Sequence, residues 1–243
     1  MSGSIPQYPW QEGDALFASA LNAAIAAALA SGGGGGGGAS DADITAYFAA
    51  LPTSDAGVAP GGMFWNGGFL NRVAGGVNQA ALNAYVTAYN YLASQYSIAG
   101  TLIWSQSMGG CAGLLNLSAA AYPNIKGWLG TYPVCSLQNL YSAGTYAGQI
   151  DVAYNIPGGG SYATQTAGHD PLLRTAASFP YRMRWYASPG DTVVNEAGNS
   201  TAMVALVNGI AIENVLVPCT GDHGDPTHFQ PTDYVTFAQR CFA

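Results

Sequence analysis

The chain has 243 residues, which is enough to bury one sizeable hydrophobic core, and its net charge of −7 argues against a nucleic acid as its partner. Only 8% of the residues are charged, so uncharged polar side chains must cover much of the surface. The sequence contains no run of about 18 strongly apolar residues, so we predict no transmembrane segment.

The N-terminal part of the chain has an uneven composition. Residues 11–29 predict an amphipathic helix, seven consecutive glycines at 32–38 predict a flexible linker, and residues 41–50 predict a second short helix. Arg72 is the first basic residue, whereas a secretory signal needs a positively charged start. No signal peptide is therefore expected.

The next segments predict a minimal strand–loop–helix–strand unit. Residues 62–65 are strand-like, and Gly67 and Gly68 follow in a glycine-rich loop that is a candidate for binding an oxyanion. Residues 77–96 have apolar side chains at helical spacing, and residues 100–104 predict a strand. If the sheet begins at residue 62, only one strand precedes the strand at 100–104, so we expect the sheet to lack N-terminal strands.

The strand at 100–104 leads into a serine that is followed by small residues, Ser105-Gln-Ser107-Met-Gly-Gly. A sharp strand-to-helix turn exposes a serine hydroxyl at the end of a sheet, and the N–H groups at the helix start can bind an oxyanion. The segment matches the pattern G-x-S-x-G, with Ser105 at the first small position and Gly109 at the second. We predict Ser107 as a nucleophile and the N–H of Met108 as an oxyanion donor.

Downstream of this turn the pattern predicts further alternation of helices and strands. Residues 109–121 predict a helix, 125–134 a strand and 135–156 a region of short helices. Tyrosines in and near that region predict either ordinary half-buried packing or an amphipathic wall beside a bound molecule. They are Tyr132, Tyr141, Tyr146, Tyr154 and Tyr162.

An acid and a histidine then follow in order, each at the end of a predicted strand. Residues 182–187 predict a strand that leads to Asp191, residues 199–208 predict a helix, and residues 213–219 predict a strand that leads to His223. Loops at the carboxyl ends of parallel strands gather at one edge of a sheet. The order serine, acid, histidine therefore predicts a catalytic triad.

Residues from about 77 to 243 resemble an α/β-hydrolase of the esterase and lipase kind. The resemblance is carried by Ser105-Gln-Ser107-Met-Gly-Gly, Tyr186-Ala-Ser-Pro-Gly-Asp191-Thr-Val-Val and Gly221-Asp-His223-Gly-Asp-Pro. It implies a mostly parallel sheet flanked by helices. It also implies a serine hydrolase that cleaves a small-molecule or lipid-like ester without a cofactor, with His223 as general base and Asp191 as its orienting carboxylate.

Other residues compete for these roles. His228 is the alternative base, and Asp170 is the alternative acid. His169 fits a structural or rim position better than a catalytic one. The four cysteines include no C-x-x-C pair, and the chain has only three histidines, so we predict no metal site. Whether the cysteines form disulfides stays open.

The first 70 residues or so resemble segments of phage tail and virion proteins, on the strength of Pro9-Trp-Gln-Glu-Gly-Asp-Ala-Leu and of residues 51–70. This resemblance implies attachment to a virion or a homo-oligomer through the N-terminal segment, in a virion-associated or extracellular location. The alternative function is accordingly a virion structural or receptor-binding protein with a degenerate hydrolase domain.

The expected domain organisation has three parts: a helical segment at 1–31, a glycine-rich linker at 32–40 and an α/β-hydrolase-like domain at 41–243. Residues 41–75 belong either to that domain or to the virion-like segment.

Overall fold

A computed structural model describes residues 63–66, 69–72 and 78–243, except residue 145. The predicted helices at 11–29 and 41–50 and the glycine run at 32–38 lie outside the described residues. The first described elements are two short strands, β1 (Met63–Asn66) and β2 (Phe69–Arg72).

The two short strands correct the predicted topology. They pair antiparallel in a two-stranded sheet of their own, with Asn66 opposite Phe69. The expectation that residues 62–65 form the first strand of a strand–helix–strand unit is therefore wrong. A two-residue link joins antiparallel strands, whereas a parallel pair needs a longer crossover. Gly-Gly as a two-residue link between apolar runs is the hairpin signal that the sequence prediction overlooked.

The centre of the described structure is a four-stranded parallel sheet. Its strands are β3 (Thr101–Gln106), β4 (Ile125–Thr131), β5 (Arg182–Ala187) and β6 (Glu213–Pro218), in the spatial order β3-β4-β5-β6. All three pairings are parallel. The carboxyl ends of the strands consequently lie along one edge, as the sequence predicts.

Helices connect the strands. The first is α1 (Gln79–Gln95), which precedes β3, and α2 (Met108–Ser118) follows it. Between β4 and β5 lie four short helices and two 3₁₀ turns. They are α3 (Leu137–Ser142), α4 (Ala147–Tyr154), α5 (Ile156–Gly159), α6 (Tyr162–Gln165) and the turns Pro171–Leu173 and Ala176–Ser178.

Between β5 and β6 the predicted helix at 199–208 is a π-helical turn, Ala197–Thr201, followed by α7 (Ala202–Leu206). After β6, a 3₁₀ turn at Pro226–His228 precedes the C-terminal helix α8 (Pro231–Phe242). Among the described residues, no helix is both long and apolar enough to cross a bilayer.

The two faces of the sheet bury different hydrophobic clusters because successive strand side chains point to opposite sides. Trp128 of β4 packs on the face covered by α2 and α7, whereas its neighbour Leu129 packs on the face covered by α8. A third cluster lies among α1, α2 and the short helices. Its buried members are Leu82, Cys111, Ala112, Leu115, Val134, Leu137, Leu140, Ile150, Tyr154 and Val194.

Candidate active site

Ser107 occupies a strained turn between β3 and α2. Its backbone has φ 49° and ψ −127°, an unfavourable conformation for a residue with a side chain, which costs about 1–3 kcal/mol. Hydrogen bonds to neighbouring backbone fix this conformation. The Ser107 N–H donates to the Thr131 carbonyl over 3.1 Å, and its carbonyl accepts from Gly110 N–H at 2.8 Å and Val134 N–H at 2.9 Å.

Small residues let α2 lie close to the sheet, although one of them differs from the prediction. A Cβ on Gly113 would come within 2.0 Å of the Ser105 hydroxyl, and one on Gly110 within 2.5 Å of Pro133. A Cβ on Gly109 would meet nothing within 4 Å. The predicted need for a small residue at Gly109 is therefore not found, and the close approaches occur at Gly110 and Gly113.

The structure brings Ser107, His223 and Asp191 together at the carboxyl edge of the sheet. The Ser107 Oγ lies 2.9 Å from His223 Nε2, and His223 Nδ1 lies 2.9 Å from Asp191 Oδ2. A carboxylate only accepts hydrogen bonds, so Nδ1 carries the proton and Nε2 is left to accept from the serine hydroxyl. This arrangement can remove a proton from Ser107 during nucleophilic attack.

Asp191 is fixed on both of its oxygens. Its side chain is 2% exposed. While Oδ2 contacts His223, Oδ1 accepts from the N–H groups of Val193 at 2.9 Å and Val194 at 2.8 Å. These bonds leave the carboxylate little freedom to rotate, so they fix the position of Oδ2 opposite His223 Nδ1.

Asp222 connects the loop of the acid to the loop of the histidine, a role that the sequence interpretation did not assign. Its Oδ1 accepts from Thr192 N and Thr192 Oγ1, both at 2.8 Å, and from the His223 N–H at 2.7 Å. The two Thr192 hydrogen bonds and the His223 hydrogen bond hold the pKa of Asp222 below its usual value. The Ser188 hydroxyl adds a second link by donating to the Gly221 carbonyl at 2.7 Å.

The competing residues lie in other environments. His228 is fully buried, its Nδ1 lies 3.0 Å from the Asp225 carbonyl, and its Nε2 has no hydrogen-bond partner. Burial lowers the pKa of His228 despite its contact with Asp225. Asp170 begins a 3₁₀ turn and accepts from backbone N–H groups of Gln138 and Leu172. Burial raises the pKa of Asp170 against these hydrogen bonds.

His169 precedes Asp170 in the sequence. The centroid of its ring lies 5.4 Å from the centroid of the Tyr154 ring. Its Nδ1 is buried without a hydrogen-bond partner. Burial lowers the pKa of His169. Neither His169 nor Asp170 hydrogen-bonds to Ser107 or His223 in this structure.

One of the predicted oxyanion donors lies at the site, and the others lie outside the described residues. Met108 is the first residue of α2, so its N–H has no carbonyl one turn earlier in the helix to bind. It directly follows Ser107 and is free to face an oxyanion there. Gly67 and Gly68 fall between the described strands β1 and β2.

Aromatic and apolar side chains extend from the triad towards the short helices. Met108 and Val193, which neighbour Ser107 and Asp191, both pack against the cluster that includes Leu140 and Ile150. Tyr141, Tyr146 and Tyr162 are partly buried against the same cluster, and Tyr154 is one of its buried members. Tyr132 differs, because it follows β4 directly and its ring centroid lies 4.4 Å from that of His223.

In the described part of the chain, no three His, Cys, Asp or Glu side chains lie close enough together to hold a metal ion. The four cysteines are all free and buried, which settles the question left open by the sequence. They are Cys111, Cys135, Cys219 and Cys241.

No protein-family model matches this sequence, and no curated protein matches it significantly. The resemblance of the N-terminal segment to virion proteins therefore has no support from relatives. Solved structures do match, at low sequence identity. A truncated carbohydrate esterase from gut microbiota is 10% identical with a TM-score of 0.56, and the match covers 71% of this chain and 72% of that one.

Two larger hydrolases match over a part of their length. A puromycin hydrolase is 15% identical with a TM-score of 0.52 over 68% of this chain, and an acylaminoacyl peptidase of Pyrococcus horikoshii is 14% identical with a TM-score of 0.52 over 67%. This chain covers only 25% and 27% of their lengths. The parallel sheet, the strained turn after β3 and these neighbours lead to one conclusion: the chain has the α/β-hydrolase fold.

Proposed function

We propose that the protein is a serine hydrolase that cleaves a carboxylic ester through an acyl-enzyme. The observation that carries the proposal is the continuous chain of contacts from the Ser107 hydroxyl through His223 to Asp191, with 2.9 Å at each step. A serine is a weak nucleophile unless a base contacts it, and a base works best when a third group orients it. His223 contacts Ser107 and Asp191 contacts His223, which supports both conditions for an activated serine.

In the proposed mechanism, His223 Nε2 takes the proton of Ser107 as Oγ attacks the ester carbonyl. Negative charge develops on the carbonyl oxygen, and the Met108 N–H at the start of α2 donates to it. Gly67 or Gly68 is the proposed second donor. The imidazolium that forms is stabilised by Asp191, which is anchored by the N–H groups of Val193 and Val194.

The tetrahedral intermediate then collapses. His223 gives its proton to the leaving alcohol, and the acyl group stays on Ser107 as an ester. Water enters, His223 takes a proton from it, and the resulting hydroxide attacks the acyl carbon. The second intermediate releases the carboxylic acid and restores the serine hydroxyl, so atoms and protons balance over the cycle.

Two considerations favour an ester with an apolar part as the substrate. The carbonyl of an ester is less stabilised by resonance than that of an amide, so the same serine attacks an ester more readily than an amide. The apolar side chains of Met108 and Val193 next to the triad, with tyrosines beyond them, suit a short or moderately apolar acyl or alcohol group.

The first test is labelling with a fluorophosphonate probe followed by identification of the modified residue. We expect labelling of Ser107 in the wild-type protein and none in Ser107→Ala. The matched control is Ser142→Ala, since Ser142 is exposed on α3 and its hydroxyl accepts a hydrogen bond from the side chain of Gln138. Absence of labelling at high probe concentration would contradict the proposal and leave a binding or structural role.

The second test separates ester from amide cleavage, because the neighbours by fold include an esterase and peptidases. Matched p-nitrophenyl esters and p-nitroanilides with the same acyl group are compared by kcat/KM. We expect esters to be preferred. Equal or better cleavage of the anilides would retain the serine hydrolase and replace the ester by a peptide or amide.

A further inference from the structure

Tyr132 has a strained backbone at the carboxyl end of β4. Its φ is 38°, in the left-handed region that an aromatic residue rarely adopts. Neighbouring hydrogen bonds impose this conformation. The Tyr132 N–H donates to the Tyr186 carbonyl at 2.7 Å. The preceding residue, Thr131, and Val134, two residues further on, both hydrogen-bond to the backbone of Ser107. Strain of this kind accumulates at functional sites, where the surrounding structure fixes it.

The side chain of Tyr132 connects the nucleophile strand to the histidine. Its ring centroid lies 4.4 Å from that of His223, and the two planes are inclined by 59°. Its hydroxyl accepts a hydrogen bond from the side-chain amide of Gln106, the residue that precedes Ser107. One aromatic side chain therefore contacts both the imidazole and the end of β3.

The Tyr132 ring is itself held from several sides. The rings of His228 and Phe229 meet it edge-on, with centroid distances of 5.1 and 6.0 Å. Tyr132 is 4% exposed, so its ring has no solvent space into which to rotate. The Tyr234 hydroxyl donates to the His228 carbonyl and anchors that side of the contact.

We propose that Tyr132 is a positioning residue for His223, an inference that rests on the proposed function. The second side-chain torsion of a histidine has a broad energy well, so a hydrogen bond to Asp191 alone leaves the imidazole free to tilt. The packed tyrosine ring removes that freedom. It keeps Nε2 directed at Ser107 while Nδ1 stays on Asp191.

The kinetic test compares Tyr132→Leu, which removes the ring, with Tyr132→Phe, which keeps the ring and removes the hydroxyl. On a short-chain p-nitrophenyl ester we expect Tyr132→Leu to lower kcat by about 10- to 100-fold with little change in KM, because a small misplacement of a reacting group has this effect. Tyr132→Phe should recover most of kcat. An equal loss in both variants, or a Tyr132→Leu variant with unchanged kcat, would overturn the proposal.

The control for general destabilisation is Phe237→Leu, a fully buried residue of α8 outside the triad. It should lower the melting temperature and leave kcat unchanged. If Phe237→Leu lowers kcat as much as Tyr132→Leu, the effect is structural and the proposal fails. Tyr132→Met, which fills part of the same volume, replaces Tyr132→Leu if the leucine variant does not fold.

A spectroscopic measurement makes the test independent of turnover. The proton that His223 Nδ1 shares with Asp191 should give a downfield NMR resonance in the wild-type protein and in Tyr132→Phe, and the resonance should broaden or vanish in Tyr132→Leu. Its persistence in Tyr132→Leu would contradict positioning by the ring. A wild-type protein that shows the resonance but hydrolyses no ester would instead contradict the proposed function.

Discussion

The two histidines that contact the Tyr132 ring differ in what their nitrogens touch. His223 contacts Ser107 through Nε2 and Asp191 through Nδ1, and its side chain is 17% exposed. His228 is fully buried, and one of its nitrogens has no partner. Both histidines follow β6 closely in the sequence, so sequence position alone does not show which of them is the base. Their hydrogen-bond partners and burial distinguish them.

A pair of matched variants tests this difference. We expect His223→Gln to lower kcat on the order of 10⁴-fold or more while the free energy of unfolding stays near that of the wild type. His228→Gln should lower stability by about 1–3 kcal/mol, because it places a different polar group in a buried site, and still permit phosphonate labelling of Ser107. Labelling lost in His228→Gln but retained in His223→Gln would reverse the assignment of the base.

Two adjacent glycines of α2 differ in the space that surrounds them. Gly110→Ala should destabilise the protein by about 1–3 kcal/mol, because its Cβ would lie 2.5 Å from Pro133 Cβ and 2.8 Å from Pro133 Cα. Gly109→Ala should be neutral or stabilise by up to about 1 kcal/mol, because its Cβ meets open space and alanine favours a helix. Urea unfolding of both variants measures the difference. Equal destabilisation would contradict the packing described for α2.

At the scale of elements, an ion-pair network fastens α8 to the sheet. Arg184 of β5 donates to both oxygens of Asp233, through Nε at 2.6 Å and a terminal nitrogen at 2.7 Å. The Tyr186 hydroxyl donates to the same carboxylate. Glu213 at the start of β6 accepts from Arg184 and from Arg240 of α8. The network joins α8 to β5 and to the start of β6, beside the hydrophobic cluster that α8 shares with the sheet.

The network predicts a loss of stability in acid. Burial alone would raise the pKa of Asp233 and Glu213, but the arginines lower both below their usual values. A carboxyl whose folded pKa is depressed stabilises the fold above its unfolded pKa, and this contribution is lost as the pH falls through the folded value. The window therefore lies below about pH 4.5, the ordinary value for a glutamate.

Asp233→Asn isolates the contribution of one carboxylate. We expect it to lower the free energy of unfolding at pH 7 by about 1–3 kcal/mol, between the values for exposed and buried ion pairs. The difference from the wild type should shrink as the pH falls below 4 and should vanish once the pH has passed the depressed folded pKa of Asp233, where the wild-type carboxyl is protonated in the folded protein too. A difference that does not change with pH would show that lost packing, rather than lost charge, is responsible.

At the scale of the whole molecule, the four cysteines pack in the hydrophobic core and form no disulfide bonds. Cys111, Cys135 and Cys219 each belong to a different hydrophobic cluster, and Cys241 joins the cluster of Cys219. Burial raises the pKa of Cys219 and of Cys241 to about 11 in each case. These thiols are therefore neutral and shielded, so packing rather than disulfides supplies the stability.

Thiol titration tests this description. A thiol reagent such as dithionitrobenzoate should react with four cysteines in denaturant and with almost none in the native protein, because the thiolate is the reactive form. Dithiothreitol should leave the melting temperature unchanged. Fewer than four reactive thiols in denaturant under non-reducing conditions would reveal a disulfide and contradict the structure.

The succession of strands and helices along the chain from β3 onwards, and the residues at the carboxyl ends of the strands, could be predicted from the sequence alone. Periodicity separates helices from strands, and the ends of parallel strands must share an edge, so Ser107, Asp191 and His223 could be placed near one another before any coordinates. Whether a segment forms a helix or a strand, and where it ends, depends largely on neighbouring residues in the chain, so the local sequence predicts these features.

Only the tertiary structure decided the features that depend on distant partners. It separated His223 from His228, placed the close approaches of α2 at Gly110 and Gly113 rather than Gly109, and brought Tyr132 against the imidazole. Each of these depends on the space left by residues far apart in the chain, and sequence spacing contains no measure of that space.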